Sequence, residues 1–180
     1  VSTGIAHLSK LSAPQGSYAV IGNHDNWYSG SAIADMLDGA GITALDNQAQ
    51  KILPLNLCIV GLEDEDTARP DRLAFNGCAA GENVIAVMHS PDSFKHLRSD
   101  TDLAVAGHTH GGQINLPLIG RRVTATKLGE PYAYGLKDWS DIPVYITSGL
   151  GTSVLPARFR APPEIVVITI SGQNETDLKW

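Results

Sequence analysis

Four of the six histidines in this chain fall in three short places that could carry chemistry. The first is the motif Gly22-Asn23-His24-Asp25, the second is His89, and the third is the segment Gly107-His108-Thr109-His110-Gly111-Gly112-Gln113. Imidazole nitrogens and amide oxygens are common metal ligands, and imidazole also transfers protons near neutral pH. One asparagine and several histidines in this arrangement are typical of a metal site.

Each of these places directly follows an apolar run that predicts a buried strand. The runs are residues 18–21, 84–88 and 103–106, rich in valine, isoleucine and alanine. Because strand ends in an α/β sheet converge on one crevice, we expect the three places to meet there. The sequence therefore predicts one metal site at the edge of a sheet.

The motifs GNHD and GHTH, together with the isolated strand-end His89, resemble those of the calcineurin-like metallophosphoesterases. The longer form GHTHGGQ and the late segment Pro162-Pro163-Glu164-Ile165 are similar to a membrane- or cell-wall-associated bacterial branch. The resemblance runs from about Leu8 to about Ile170. It implies an α/β fold, a layered sandwich of two mixed β-sheets flanked by helices.

The resemblance also implies roles for individual residues. Asn23, His89 and His108 would ligate one divalent metal ion, and His110 would turn to a second. Metals ~3.5–4 Å apart would clamp a phosphoryl group and generate a hydroxide nucleophile. The catalytic pair would be His24 and Asp25: His24 would protonate the leaving oxygen, and Asp25 would orient His24.

Two further polar residues are candidates for binding the substrate phosphate, and each has an ordinary alternative. Gln113 could donate to a phosphate or simply satisfy its own loop. Arg158 could make bidentate contacts with a phosphate, although a structural salt bridge is the more common use of such an arginine.

The chain departs from the family at its beginning. The Asp-x-His and Gly-Asp motifs of the family's first strands are missing, so we expect residues 1–180 to form a single, partial phosphoesterase domain that lacks those strands. The remaining ligands carry no negative charge, and hard ions prefer carboxylate oxygens. We therefore expect at most one ion, weakly held; Mn, Zn, Fe and Ni are not distinguished, although zinc or nickel would suit imidazoles better than manganese.

Composition limits the class of protein. With 43% hydrophobic and 18% charged residues, the 180-residue chain is globular rather than disordered. A net charge of −6 without a basic run disfavours nucleic acid as a partner. We expect Cys58 to be a buried free thiol, and the acidic residues 63–66 to form a solvated loop.

Local patterns predict the remaining elements. Missing strands would leave exposed sheet edges, so we hypothesise either a homodimer or a rearranged packing of the N-terminal segment. Helices are expected over residues 3–11, 31–40, 70–75 and 91–97, and further strands over 43–45, 51–54, 57–61, 132–136, 144–147 and 165–170.

These observations predict a metal-dependent hydrolase of phosphate esters that acts by attack of metal-bound hydroxide. The resemblance suggests phosphodiester or pyrophosphate bonds, in lipid- or nucleotide-linked substrates, and a bacterial membrane or envelope location. The alternative is a catalytically inactive scaffold or binding domain. The missing carboxylate motifs favour the alternative if the natural protein begins here, and not if this chain is a fragment of an ordinary active enzyme. The intact pair His24 and Asp25 opposes the alternative.

Overall fold

A six-stranded mixed sheet, with helices packed around it, forms the centre of the computed structural model, which describes residues 2–171. The α-helices are α1 (Ser2–Leu8), α2 (Asn23–Tyr28) and α3 (Gly30–Gly39), and the strands are β1 (Ser17–Ala19), β2 (Ile42–Ala44), β3 (Gln48–Ile52), β4 (Leu57–Leu62), β5 (Asn83–Met88), β6 (Leu103–Ala106), β7 (Asn115–Leu116), β8 (Gly120–Arg121), β9 (Gly135–Trp139) and β10 (Ile142–Ile146). The strand order in the large sheet is β3-β4-β5-β6-β10-β9, and β1 pairs with β2 in a separate parallel sheet. The predicted α/β fold, with a mixed sheet flanked by helices, is confirmed.

The four central strands of the large sheet, β4, β5, β6 and β10, run parallel, and the two edge strands run antiparallel to their neighbours. Parallel strands place their carboxyl ends on the same side of the sheet. His89 follows β5 and Gly107 follows β6 there, so the sheet itself brings two of the three candidate places together.

One face of the large sheet is fully buried. Burial alternates along β5, β6 and β10, as expected for strands whose side chains point to opposite faces in turn. We call this face the closed face; it presents Cys58, Val60, Val84, Ala86, Ala104 and Val144, none of which has exposed surface. Phe94, Tyr132 and Trp139 pack their rings against one another beside it.

A disulfide bond joins Cys58 on the closed face to Cys78. The expectation of a free thiol at Cys58 is therefore wrong. The 3-10 helix Arg72–Gly77 folds back over the sheet and delivers Cys78 to the strand that carries its partner. Two cysteines that lie 20 residues apart in sequence do not reveal this contact by themselves.

The other face of the sheet, which we call the open face, is equally apolar but only half-buried. It presents Ile59, Ile85, Val87, Val105 and Tyr145. A second, smaller core lies apart from the closed face; there α3 contributes its inward face to the β1–β2 sheet, and the buried members are Ile21, Ile33, Leu37 and Ile42.

The predicted helices over residues 70–75 and 91–97 are found as 3-10 helices, Arg72–Gly77 and Pro91–His96. The expected strand over 132–136 is wrong in position, because Glu130–Tyr132 forms a 3-10 turn and β9 starts at Gly135. The expected strand over 165–170 is also wrong. No strand of the described residues pairs with that segment, and Ile165 and Val167 are 80% and 88% exposed.

Candidate metal centre

Asn23, His89 and His108 meet at the carboxyl ends of the strands. His89 Nε2 lies 3.0 Å from Asn23 Oδ1 and 3.0 Å from His108 Nδ1. Asn23 is the first residue of α2 and is buried, so its amide reaches the crevice from the side of the small sheet. The candidate centre therefore joins the small sheet to the large one.

Gly22 makes the close approach of His89 feasible. A Cβ atom added at Gly22 would lie 2.6 Å from His89 Cε1 and 2.7 Å from its Nδ1, well inside van der Waals contact. The backbone of Gly22 has φ −99°, which any residue adopts. The glycine is thus required by the space that the imidazole occupies, and not by a sharp turn.

The second histidine motif is held in a rare backbone conformation. His108 and His110 have φ values of 67° and 51°, in the left-handed region that residues other than glycine seldom adopt. His110 Nδ1 lies 3.1 Å from the carbonyl oxygen of Gly151, away from the contacts that link the other three side chains. The structure therefore brings Asn23, His89 and His108 together and leaves His110 beside them.

Burial lowers the pKa of two of the histidines, His89 and His110. Desolvation, followed by the proximity of His108, lowers the pKa of His89 to about 4. Burial also lowers the pKa of His110, against the opposing hydrogen bond with Gly151. At neutral pH His89 is uncharged, and a neutral imidazole is the form that ligates a metal.

The donor set fits a divalent ion. Ligands ~2.1 Å from a metal ion stand about 3.0 Å apart where they make a right angle at the ion, and about 3.4 Å apart at tetrahedral angles. The two 3.0 Å separations in the centre match the smaller of these spacings, and they join one amide oxygen and two imidazole nitrogens. Such a set suits zinc, nickel or other borderline ions better than hard ones.

Similarity to known proteins now decides the family. The chain is 34% identical over 176 residues to the uncharacterized metallophosphoesterase YkuE of Bacillus subtilis, covering 93% of this chain and 60% of the relative. It is 31% identical over 171 residues to the phosphodiesterase YaeI of Escherichia coli, covering 91% of this chain and 61% of the relative. The chain belongs to the calcineurin-like metallophosphoesterases.

A third relative of this metallophosphoesterase chain is the transmembrane protein with metallophosphoesterase domain of Danio rerio, 31% identical, with 91% of this chain and 40% of the relative covered. The chain spans about 60% of the length of YkuE and YaeI. No protein-family model and no solved structure matches it significantly. Within residues 2–171, none of the helices combines the length and apolarity needed to cross a membrane.

The structure gives Asp25 of this metallophosphoesterase a partner other than His24. The Asp25 carboxylate accepts the backbone N–H of Gly22 at 3.0 Å, which caps the first turn of α2. Consecutive residues on a helix do not face each other, so Asp25 is held by Gly22 here and its orientation of His24 stays a prediction. His24 is exposed and lies against the Trp27 ring, with 4.7 Å between ring centroids.

The two residues predicted to bind the substrate phosphate have structural partners instead. The Gln113 amide donates to the carbonyl oxygens of Ser153 and Leu155 and accepts the N–H of Ser153. The Arg158 guanidinium donates to backbone carbonyl oxygens, among them those of His110 and Ser148. Both side chains hold loops of this metallophosphoesterase around His110. Their binding of substrate stays a prediction.

Sequence reasoning missed a carboxylate under the site. Asp64 lies in the acidic run expected to be solvated, yet it is completely buried. Its Oδ2 accepts the hydroxyl of Thr67 at 2.7 Å, and Thr67 Oγ1 accepts the amide of Asn26 on α2 at 2.8 Å. This chain of bonds fixes the helix that carries Asn23. The Asp-x-x-Thr spacing, which favours local side chain–backbone bonding, was the available signal.

Proposed function

We propose that this chain carries the metal-binding histidine half of a phosphoric ester hydrolase. The observation that supports it is the 3.0 Å spacing of His89 Nε2 from both Asn23 Oδ1 and His108 Nδ1. Among metallophosphoesterase relatives, YaeI is named a phosphodiesterase, which favours phosphodiester bonds over other phosphate linkages. The activity would be hydrolysis of a phosphodiester or pyrophosphate.

Asn23, His89 and His108 would hold one divalent ion, and His110 would face a second. A divalent ion bound there supplies Lewis acidity toward a phosphoryl oxygen and lowers the pKa of coordinated water. The amide of Asn23 and the imidazole of His89 keep their geometry because Asp64 fixes α2 and Gly22 leaves room for the ring. Without a carboxylate in the set, we expect one weakly held ion, with zinc bound more tightly than manganese.

His24 is the residue that would hold and hand over a proton. Its imidazole is exposed next to the buried Asn23, and its contact with Trp27 limits the orientations of the ring. A leaving oxygen that departs toward α2 would meet this imidazole. Asp25 supports the step indirectly, by capping the helix on which His24 stands.

The disulfide bond supports a location outside a reducing compartment. Disulfides form and persist in secreted, periplasmic and surface proteins and are rare in a cytosol. The bond between Cys58 and Cys78 therefore favours the bacterial envelope over the cytosol as the location of this chain.

An inactive binding or scaffold domain is the second candidate. The observation in its favour is that the converging ligands, Asn23, His89 and His108, include no carboxylate. Among the described residues, the single group of three His, Cys, Asp or Glu side chains close enough to share an ion is Cys58, Cys78 and Glu82, and its cysteines are bridged. A homodimer that covers the open face would fit either candidate, and sedimentation would test it.

The deciding experiment measures metal-dependent hydrolysis of bis-p-nitrophenyl phosphate by this chain and by a version extended upstream in its gene. We expect His89→Ala to lose both zinc binding and turnover. We expect His24→Ala to keep zinc binding and lose about 100-fold or more in kcat. His7→Ala, an exposed histidine on α1, is the control and should change neither.

The outcomes separate the two candidates. Full activity of His24→Ala would exclude the proton-transfer role. Zinc binding with no turnover in either version would favour the inactive binding domain. Unchanged zinc affinity in His89→Ala would overturn the metal centre itself.

A further inference from the structure

A cavity of about 450 Å³ opens beside His110. Its walls come from three segments: the loop after β6, the β7–β8 hairpin, and the loop around Val154. This volume lies within the usual range for small-molecule sites. Because His110 lines the cavity and also flanks the candidate metal centre, a phosphate ester bound at the centre would place one of its substituents here.

The walls offer hydrocarbon rather than hydrogen bonds. Ile114, Leu116, Val123, Val154 and Leu155 line the cavity. Two polar side chains of the lining are engaged elsewhere: the Thr109 hydroxyl donates to the carbonyl oxygen of Ala133 at 2.7 Å, and the Gln113 amide is bonded to Ser153 and Leu155.

This engagement argues against a nucleoside as the occupant. A base and a ribose carry several donors and acceptors, and each one buried without a partner would weaken binding. An alkyl chain makes no such demand, and its affinity grows with the apolar area that it buries.

The charged side chains of the cavity lining are also compatible with an anionic lipid-type substrate. The chain has a net charge of −6, yet no acidic side chain is among the described residues that line the cavity, whereas Arg122 is. An acidic lining would repel an anionic phosphodiester, and a lining with Arg122 and no carboxylate does not.

We propose that the cavity receives the alkyl chain of the substrate, so that the substrate class is a lipid-type phosphodiester. This proposal rests on the proposed function of the neighbouring centre. Gln113 becomes a positioning residue in this scheme, because its amide holds Ser153 and Leu155, and with them the wall at Val154, in place.

The first test compares p-nitrophenyl esters of ethyl, hexyl and decyl phosphate, below their micelle concentrations, with the metal-loaded protein extended upstream. Each buried methylene group is worth about a threefold to fourfold gain in affinity. We expect KM to fall by at least about tenfold from the ethyl to the decyl ester, since part of the chain is buried. Equal KM values across the series would overturn the proposal while leaving the phosphodiesterase function intact.

The second test measures binding of decyl phosphate by calorimetry, which needs no turnover. Val154→Asp should weaken binding at least about fivefold, because it puts a charge on the apolar wall. Leu118→Asp is the matched control: Val154 and Leu118 are 100% and 108% exposed, with φ values of 61° and 64°, but Leu118 does not line the cavity. Aspartate tolerates this backbone conformation, so both variants should fold.

Each outcome bears on one proposal. An equal loss in both variants would mean a diffuse apolar surface and would overturn the pocket. Binding to phosphatidylcholine vesicles without binding to monomeric decyl phosphate would mean a membrane contact and would also overturn it. Decyl phosphate binding that depends on Val154, without hydrolysis of any ester, would support the pocket and count against the hydrolase.

Discussion

The two faces of the six-stranded sheet are built from the same kinds of residue and have different surroundings. On β5, Val84 of the closed face has no exposed surface, whereas Val87 of the open face is half-buried. The 3-10 helices and the rings of Phe94, Tyr132 and Trp139 cover the closed face. The small β1–β2 sheet has a core of its own.

This difference separates stability from the candidate chemistry. The closed face holds the main hydrophobic core and the disulfide bond. The metal centre draws Asn23 from the small-sheet side and His89 from the end of β5, at a position that continues the alternation of Val87. We therefore expect substitutions on the closed face to alter unfolding, and those at the centre to alter mainly metal binding.

The largest expected effect is that of Phe94→Ala on the closed face. The Phe94 ring has no exposed surface and packs against Trp139 with 5.9 Å between centroids. Its removal should lower the free energy of unfolding by about 3–5 kcal/mol, through lost burial and the cavity that remains. Urea unfolding checks this value; a loss below about 1 kcal/mol would mean that the closed face is not the main core.

Reduction of the disulfide bond between Cys58 and Cys78 should cause the second largest loss of stability. A bridge that closes a loop of 20 residues stabilises a fold by about 3 kcal/mol, mainly by restricting the unfolded chain. Urea unfolding with and without dithiothreitol measures the difference. The double variant Cys58→Ala/Cys78→Ala is the control, and its stability should not respond to the reductant.

Acid should destabilise the metal-free chain because His89 in the candidate metal centre is buried in its neutral form. The pKa of His89 is lowered to about 4, and the ordinary value is 6.5, so between these values the unfolded chain binds a proton that the folded chain does not. Stability is therefore full above pH 6.5 and falls as the pH drops toward 4, by about 2 kcal/mol between pH 7 and pH 5. His110 adds in the same direction, because its pKa is also lowered.

Unfolding in the presence of a chelator at both pH values measures this loss. His89→Gln should reduce the pH dependence, whereas Phe94→Ala should keep it. Equal wild-type stability at pH 5 and pH 7 would contradict the buried, neutral state of His89.

The smallest expected difference in unfolding free energy, between Val84→Ala and Val87→Ala, compares the two faces of the sheet most directly. Both changes remove the same two methyl groups from the same strand. Val84→Ala should cost about 2 kcal/mol of unfolding free energy, and Val87→Ala less than about 1, because its side chain is already partly in water. Equal costs would mean that the open face is covered in solution, as a homodimer would cover it.

The sequence predicts the sheet well where burial and strand pattern agree. The runs before His89 and His108 are apolar, and they form β5 and β6 almost as expected. Because β5 and β6 run parallel, the histidines that follow them lie at the same edge of the sheet. Their role as ligands stays a prediction.

Long-range contacts are where sequence reasoning failed. Nothing local shows that Cys58 meets Cys78, that Gln113 is engaged 40 residues downstream by Ser153, or that Arg158 faces carbonyl oxygens. The apolar run at 165–170 has the composition of a strand, but strand formation also requires a neighbour.

Glu164 anchors the beginning of the apolar run over residues 165–170. Its carboxylate accepts hydrogen bonds from Tyr134, Thr147 and the backbone of Ser148, and its own N–H donates to Gly149. A segment anchored at one end loses less conformational entropy when it pairs with a strand than a segment that is free at both ends. It also cannot shift its pairing register by one residue without moving Glu164. Any strand that adds to residues 165–170 would therefore meet a template whose register is already set.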